Sequence, residues 1–140
     1  MQFITLSDKF YSLYSQYPEI LKKRNRPYAC IEVLINGVKF AVPLRHHISH
    51  KYSFITKADY GLDYTKTVVI EDDSYIGETG VQINQEEFKA ISGRETFIRN
   101  QLIKYIRIYK KSCKYTDNVH YKSIRQYSTL QYFEKYIDNL

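Results

Sequence analysis

The sequence predicts a single α+β domain over residues 1–140, in which a small, twisted antiparallel β-sheet or partial barrel is surrounded by helices. The chain is long enough to bury a core, and 44% of its residues are hydrophobic. Strand-like runs rich in β-branched and aromatic residues occupy its first part, and helical spacing dominates from Asn84 onward. No internal repeat, low-complexity tract or linker divides the sequence, so we expect one folding unit.

The N-terminal elements are short. Residues 2–6 alternate and predict a first strand, and Ser7 is a suitable N-cap for a helix through Tyr14. Pro18 interrupts this region, and a basic connector over residues 22–27 follows. This connector is either a solvated loop or an edge that contacts phosphate, and the sequence leaves both interpretations open.

A β-hairpin is predicted from residues 28–35 and 38–44. Asn36 and Gly37 join the two runs, and this dipeptide is typical of a type I′ turn because both positions need a positive φ. Pro43 cannot donate a ladder hydrogen bond, so we expect the second strand to end there or to lie at a sheet edge. Four residues of that strand share one parity and should face the core: Val38, Phe40, Val42 and Leu44.

Further strands are predicted over residues 52–56 and 67–70, separated by a loop over residues 58–63. Acidic residues 71–73 are interpreted as a charged turn rather than a metal site. Weaker strand signals lie at residues 75–76 and 81–83.

The C-terminal part of the chain is predicted to be helical. Asn84 opens a capping box and Gly93 would end that helix, and Ser128 opens a last helix in the same way. Between them, residues 94–114 predict a long helix with a buried stripe: Ile98, Leu102, Tyr105, Ile106, Tyr109 and Cys113. Its other side is basic and is either a solvated face or an RNA surface: Arg99, Arg107, Lys110, Lys111 and Lys114.

Composition narrows the classes of function. The net charge of +6 favours a polyanionic partner, with nucleic acid ahead of membrane, and 15 tyrosines supply rings that stack under bases as well as fill a core. Cys30 and Cys113 lack metal-binding spacing, so we expect free thiols, no metal and no cofactor. Without a leader-like or membrane-length apolar run, the sequence predicts a soluble, cytoplasmic protein.

Three of the four histidines lie together just after the predicted hairpin, and they point to proton-transfer chemistry. His46, His47 and His50 are the candidate base and acid, because unperturbed imidazole titrates near neutral pH. Arg45 and Lys51 flank them and are candidates to stabilise a phosphorane. RNA carries its own nucleophile, the 2′-hydroxyl, so this set suits RNA cleavage without a metal. For a single histidine the sequence favours an exposed or hydrogen-bonded structural residue, whereas the cluster in a basic chain favours catalysis.

Several segments together resemble the toxins of type III toxin–antitoxin systems. They are residues 26–28, 40–45, 50–54, 61–66 and 68–70, and the branch they resemble is TenpN, a relative of the ToxN/AbiQ endoribonucleases. The resemblance implies a MazF/Kid-like fold and metal-independent RNA cleavage that leaves a 2′,3′-cyclic phosphate and a 5′-hydroxyl. It also implies inhibition by a small repeated antitoxin RNA that folds as a pseudoknot, assembly with that RNA into a higher-order complex, and a role in plasmid maintenance or phage defence.

The chain departs from the ToxN/AbiQ pattern at the end of the hairpin. A hydroxyl residue and a lysine follow the Pro-Leu pair in that branch, whereas Arg45 and His46 stand there in this sequence, and Lys51 is the nearest lysine. We therefore expect His46 or His47 to act as general base, and the other of the two or His50 as general acid. Arg45 and Lys51 would stabilise the phosphorane.

The resemblance also suggests further site residues. Tyr28 would match an active-site tyrosine and, with Lys66, would position the scissile phosphate. Lys66 with Thr65 would form the opposite wall of the site, and Ser49 or Ser53 would replace the missing hydroxyl. Basic residues on the connector and on the long helix would grip RNA: Arg24, Arg26, Arg107, Lys110 and Lys111. Two rival functions remain open, a non-catalytic RNA- or DNA-binding module of a mobile element and a protein-interaction component of a phage or mobile element.

Overall fold

The computed structural model describes residues 2–22 and 27–140 and confirms an α+β fold. Within these residues, seven strands form one open antiparallel sheet in the order β4-β5-β3-β2-β1-β7, and β6 pairs with β3 beyond the end of β5. The strands are β1 Phe3–Leu6, β2 Ala29–Ile35, β3 Val38–Arg45, β4 Ser53–Lys57, β5 Tyr60–Asp63, β6 Val68–Val69 and β7 Ile76–Thr79. The helices are α1 Asp8–Tyr14, α2 Gln85–Ile91, α3 Glu95–Lys114, α4 Val119–Tyr127 and α5 Glu134–Ile137, and 3₁₀ turns lie at Tyr64–Lys66, Asp73–Tyr75 and Thr129–Tyr132.

The predicted hairpin forms the centre of the sheet. Asn36 and Gly37 have φ values of +48° and +83°, as a type I′ turn requires, and Ile35 pairs with Val38 across it. The predicted hairpin is confirmed. Its register depends only on the two turn residues, which are adjacent in sequence.

Pro43 does not end its strand, which corrects the sequence prediction. β3 continues to Arg45 in the middle of the sheet, and both faces of its central residues are covered. β5 pairs with Leu44 and Arg45, while β6 pairs with Phe40 and Ala41. The segment between β5 and β6 therefore does not pair with β3 and forms a 3₁₀ turn opposite Pro43, which has no N–H to donate.

β5 lies where the sequence predicts a loop. Ala58 turns the chain with a φ of +46°, and Tyr60–Asp63 returns along β4. Gly61 permits this close approach: a Cβ atom there would lie 2.1 Å from the Phe54 carbonyl oxygen. A loop is predicted because Gly and Asp disfavour strands locally, and the pairing with β3 and β4 overrides that preference.

The helix caps follow the prediction closely. Ser7 accepts a hydrogen bond from the Phe10 amide, and the Asn84 side chain accepts from the first amides of α2. The segment after Ser128 begins as a 3₁₀ turn and continues as α5. Residues 81–83 do not form the weak strand predicted there.

The sequence analysis misses α4, and it misplaces one end of the buried stripe on α3. α4 buries only Ile124, so it lacks the apolar periodicity that would have revealed it. On α3, Ser112 is buried and Cys113 is exposed, the reverse of the predicted stripe. No helix within residues 2–22 and 27–140 is long and apolar enough to cross a membrane.

Candidate functional site

A buried carboxylate, Asp63, organises the end of β3 and β5. Its Oδ2 atom lies 2.8 Å from the Nη1 atom of Arg45, and its Oδ1 atom lies 3.1 Å from the Nε2 atom of His50. Thr65 donates to the same Oδ1 atom from its hydroxyl at 2.6 Å and from its amide at 2.9 Å. We call these residues, together with Lys66, the Asp63 cluster.

The strand register explains why these side chains meet. Arg45 pairs with Gly61, so Asp63, two residues further along β5, projects from the same face of the sheet as Arg45. The loop after β3 then brings His50 back over the end of β5. Residues far apart in sequence therefore share one carboxylate.

Asp63 remains ionised although it is fully buried. Burial by itself raises the pKa of this carboxyl group, but hydrogen bonds from His50, Thr65 and Arg45 hold it below its ordinary value. The group is a fixed negative charge to which basic side chains are bound.

The hydrogen bonds assign the tautomer of His50. Its Nδ1 atom accepts a hydrogen bond from the Tyr52 amide at 3.1 Å, so the ring proton resides on Nε2 and is donated to Asp63. The Ser53 hydroxyl donates to the His50 carbonyl oxygen at 3.3 Å and supports the same loop. The contacts of both ring nitrogens hold His50 in a defined orientation.

Lys66 lies beside this network. Partial burial lowers the pKa of its ammonium group, the nearby Asp63 charge opposes that effect, and Arg45 adds to it. The Nζ atom donates to the Tyr127 carbonyl oxygen at 3.2 Å. Lys66 is therefore an incompletely satisfied cation, since an ammonium group has three donors.

Tyr28 and Lys66 share a narrow cavity beside Pro43, as the prediction of a common role for them requires. Cys30 lies in the same cavity, and burial raises the pKa of its thiol to about 12. The thiol is thus protonated at neutral pH, and the other polar side chains that line this small cavity are those of Tyr11, Tyr28 and Lys66.

His46 and His47 do not join His50. His46 is exposed and stacks on Tyr60 with ring centroids 3.8 Å apart and an interplanar angle of 10°. The His47 side chain is 90% exposed, and its Nδ1 atom lies 3.2 Å from Asp59 Oδ2. The alternation of β3 puts His46 on the face opposite Arg45, so the three histidines form two separate groups.

Two other predicted residues of this loop lie at its surface. Ser49 is exposed, and Lys51 is exposed with its Nζ atom 5.4 Å from the centre of the Tyr52 ring. Neither contacts Asp63 in the structure.

The residues predicted to bind RNA differ in whether their charged groups are already bound within the protein. Arg107 is exposed, and Lys111 lies about 6 Å from the rings of Tyr115 and Tyr121. Lys110 instead donates to main-chain oxygens of Asp138 and Leu140, so it ties α3 to the end of the chain. Two further predicted residues lie outside the described ranges: Arg24 and Arg26.

Asp63 is the residue that sequence reasoning missed as the centre of the site. The signal was present, because Asp63 and Thr65 form an Asx-type cap, with the Asp side chain accepting from the amide two residues later, directly after a short strand. What the sequence does not show is that Arg45 and His50 reach the same carboxylate.

Within the described ranges, no three His, Cys, Asp or Glu side chains are grouped so that they could hold a metal ion. Comparison with protein-family models, with curated proteins and with solved structures finds no match to this chain.

Proposed function

We propose that this protein is a metal-independent endoribonuclease. In the proposed reaction the RNA 2′-hydroxyl attacks the adjacent phosphorus, and the products carry a 2′,3′-cyclic phosphate and a 5′-hydroxyl. The observation that carries the proposal is the convergence of Arg45 and His50 on the buried Asp63, with Lys66 beside them. Arg45 and Asp63 lie on paired strands, and the loop after β3 and the 3₁₀ turn after β5 bring the proton-transferring groups His50 and Lys66 to them.

Arg45 suits the role of phosphate clamp. One of its five N–H donors is directed to Asp63, and its side chain retains 30% exposure. Asp63 fixes the guanidinium plane, and the remaining donors are available for phosphate oxygens. Such preplaced donors stabilise the charge that develops on a phosphorane.

His50 and Lys66 are the proton-transferring groups of the cluster, because an arginine cannot be deprotonated in this range. His50 would take up a proton at Nδ1 by exchanging the Tyr52 amide for the substrate hydroxyl, and Asp63 would stabilise the resulting imidazolium. Lys66 would serve the leaving oxygen, and Tyr28 would help to position the scissile phosphate. In this assignment His46 and His47 are not the base and acid.

The biological part of the proposal is a cytoplasmic toxin of a type III toxin–antitoxin system with a MazF/Kid-like fold. Residues 40–45, 50–54 and 61–66, which carry the resemblance to TenpN, also carry Arg45, His50, Asp63 and Lys66. The net charge of +6 supports binding to a pseudoknot antitoxin RNA and to cellular RNA.

A non-catalytic RNA-binding module is the second candidate function. One observation favours it: both ring nitrogens of His50 already have partners within the protein. In that case the Asp63 cluster would be a rigid anion-binding element without proton transfer.

Incubation of purified protein with a mixed RNA pool in excess EDTA, followed by end-group analysis, tests the proposal. We expect cyclic phosphate and 5′-hydroxyl ends, and a loss of about 100-fold or more in the Lys66→Met variant. Lys104→Met, which removes an exposed lysine of α3, is the matched control and should cleave like the unaltered protein. Intact RNA from folded protein free of bound RNA would contradict the proposal and favour the non-catalytic module.

A further inference from the structure

We propose that His46 and Tyr60 form a stacking platform that binds an unpaired nucleobase of the RNA. This inference rests on the proposed function in requiring an RNA ligand, and it gives His46 a role that the Asp63 cluster does not supply. The platform lies on the opposite face of the β3–β5 end from Arg45.

The geometry of the two rings carries the inference. Their centroids are 3.8 Å apart and their planes differ by 10°, so the imidazole lies flat on the phenol ring. Leu44 pairs with Leu62 and Arg45 with Gly61, which places His46 opposite Tyr60 by extension of the same register. Tyr60 covers one face of the His46 ring, and the His47 ring stands edge-on to it with centroids 6.5 Å apart. His46 is nevertheless exposed, so a planar ligand can extend the stack from the face away from Tyr60.

The charges around the platform favour a base over a phosphate. Lys57 lies with its Nζ atom 5.2 Å from the Tyr60 ring centre, but it is also 3.7 Å from a Glu86 carboxylate oxygen. His47 likewise faces Asp59. The basic side chains of Lys57 and His47 near the stack are therefore partnered by carboxylates, and a flat aromatic surface remains as the main contact for a ligand. Aromatic stacking suits an unpaired base, because pairing within a duplex buries the base faces.

The position of the platform connects it with the Asp63 cluster. His46 follows Arg45 directly, so the two side chains leave adjacent main-chain positions on opposite faces of one strand end. A single strand of RNA that crosses this end can place a phosphate at Arg45 and a neighbouring base on His46. The platform would then fix the substrate relative to the cluster without taking part in proton transfer.

The proposal predicts that the flat ring of His46 matters and its titration does not. The test measures the Kd of a short, fluorescent, single-stranded 2′-O-methyl RNA by anisotropy, since that probe cannot undergo 2′-hydroxyl attack. His46→Ala should weaken binding by about 5- to 100-fold, the range expected for one stacked base. His46→Phe should retain most of the affinity, because phenylalanine preserves the stack.

His47→Asn is the control within the same loop, because His47 has a φ of +60° and asparagine tolerates that backbone. It should bind like the unaltered protein, and thermal unfolding confirms that each variant is folded. Equal affinities of the His46→Ala and unaltered proteins would overturn the platform, as would an equal loss in His46→Ala and His46→Phe. Binding that follows the prediction in a protein that cleaves no RNA would support the platform and contradict only the proposed cleavage.

A second form of the probe tests the platform without altering the protein. The same 2′-O-methyl strand with abasic sites in place of its bases keeps the phosphates and removes the stacking surface. The unaltered protein should bind this strand with a loss comparable to that of His46→Ala. If the abasic strand binds as tightly as the complete one, phosphate contacts account for the affinity and the proposal fails.

Discussion

The two faces at the end of β3 and β5 differ in how they hold their polar side chains. On one face Asp63 is fully buried, and each of its oxygens is bound by a basic side chain. On the other face His46 and His47 are exposed, with one ring stacked and the other beside a partly exposed aspartate. Strand alternation alone separates Arg45 from His46, so adjacent residues of similar type receive different environments.

This difference indicates that the stability of the fold depends on Asp63 and its partners more than on His46 and His47. A buried carboxylate requires its partners, because removing one of them leaves an uncompensated charge in the interior. The exposed pair of His47 and Asp59 is screened by water and contributes little. Substitutions on the two faces should therefore have effects of very different size.

Gly61→Ala should disrupt both faces at once, because β5 carries Asp63 on one face and Tyr60 on the other. The new Cβ atom would lie 2.1 Å from the Phe54 carbonyl oxygen, and its three nearest atoms all belong to the backbone of β4, which cannot give way by a small adjustment. We expect a loss of about 3 kcal/mol or more in the free energy of unfolding, measured by urea denaturation. Gly80→Ala is the matched control: Gly80 has a φ of +62° and no heavy atom near the added Cβ, so it should lose only about 1 kcal/mol.

Asp63→Asn should remove the charge of the buried face while keeping its shape. Arg45 and His50 would lose their anion, and the free energy of unfolding should fall by about 3 kcal/mol in urea denaturation. A loss below about 0.5 kcal/mol would show that the cluster does not support the fold.

The pH dependence of the same variant sharpens this test. The pKa of Asp63 is lower in the folded protein than the unfolded value of about 3.9. Its stabilising contribution is therefore present above pH 4 and is lost as the pH falls through the folded pKa. Between neutral pH and pH 3, Asp63→Asn should lose less stability than the unaltered protein, and parallel pH profiles would contradict this account.

Thr65→Val tests one hydrogen bond of the buried face. Valine keeps the branched shape and removes the hydroxyl that donates to Asp63 at 2.6 Å, while the amide bond to the same oxygen remains. Since hydrogen bonds to charged groups are stronger than neutral ones, the expected loss is about 1.5 kcal/mol in the free energy of unfolding. An unchanged midpoint in urea would mean that the Thr65 amide alone satisfies the carboxylate.

His47→Asn should have the smallest effect, because it changes only the exposed face. Asparagine tolerates the positive φ of 60° at this position, and the lost contact with Asp59 is largely solvated. Thermal and urea unfolding should place the variant within about 0.5 kcal/mol of the unaltered protein. A loss near that of Thr65→Val would show that the loop depends on this contact.

The parts of the fold that the sequence predicted are those coded by neighbouring residues. The turn at Asn36 and Gly37 and the caps at Ser7 and Asn84 each depend on contacts within a few positions. β5 was missed because Gly61 is suited to a strand only where β4 approaches it closely. α4 was missed because it has little apolar surface to form a pattern.

In the candidate site, too, contacts between residues distant in sequence could not be predicted. Sequence proximity grouped His46, His47 and His50, whereas the register of β3 and β5 separates them and joins His50 to Asp63. Arg45 and Asp63 are 18 positions apart, and this spacing gives no sign that they are neighbours. Tyr28 and Lys66, proposed together through the family resemblance, do line one cavity.

The most direct test of the central claim is a comparison of single-turnover cleavage rates in EDTA for one variant from each face. Arg45→Lys keeps a positive charge beside Asp63 but loses the planar fork that would hold a phosphate. With saturating protein, we predict a fall of about 100-fold in its cleavage rate and little change in His46→Phe. A rate that is lost in His46→Phe and retained in Arg45→Lys would contradict the account and return catalysis to the exposed histidines.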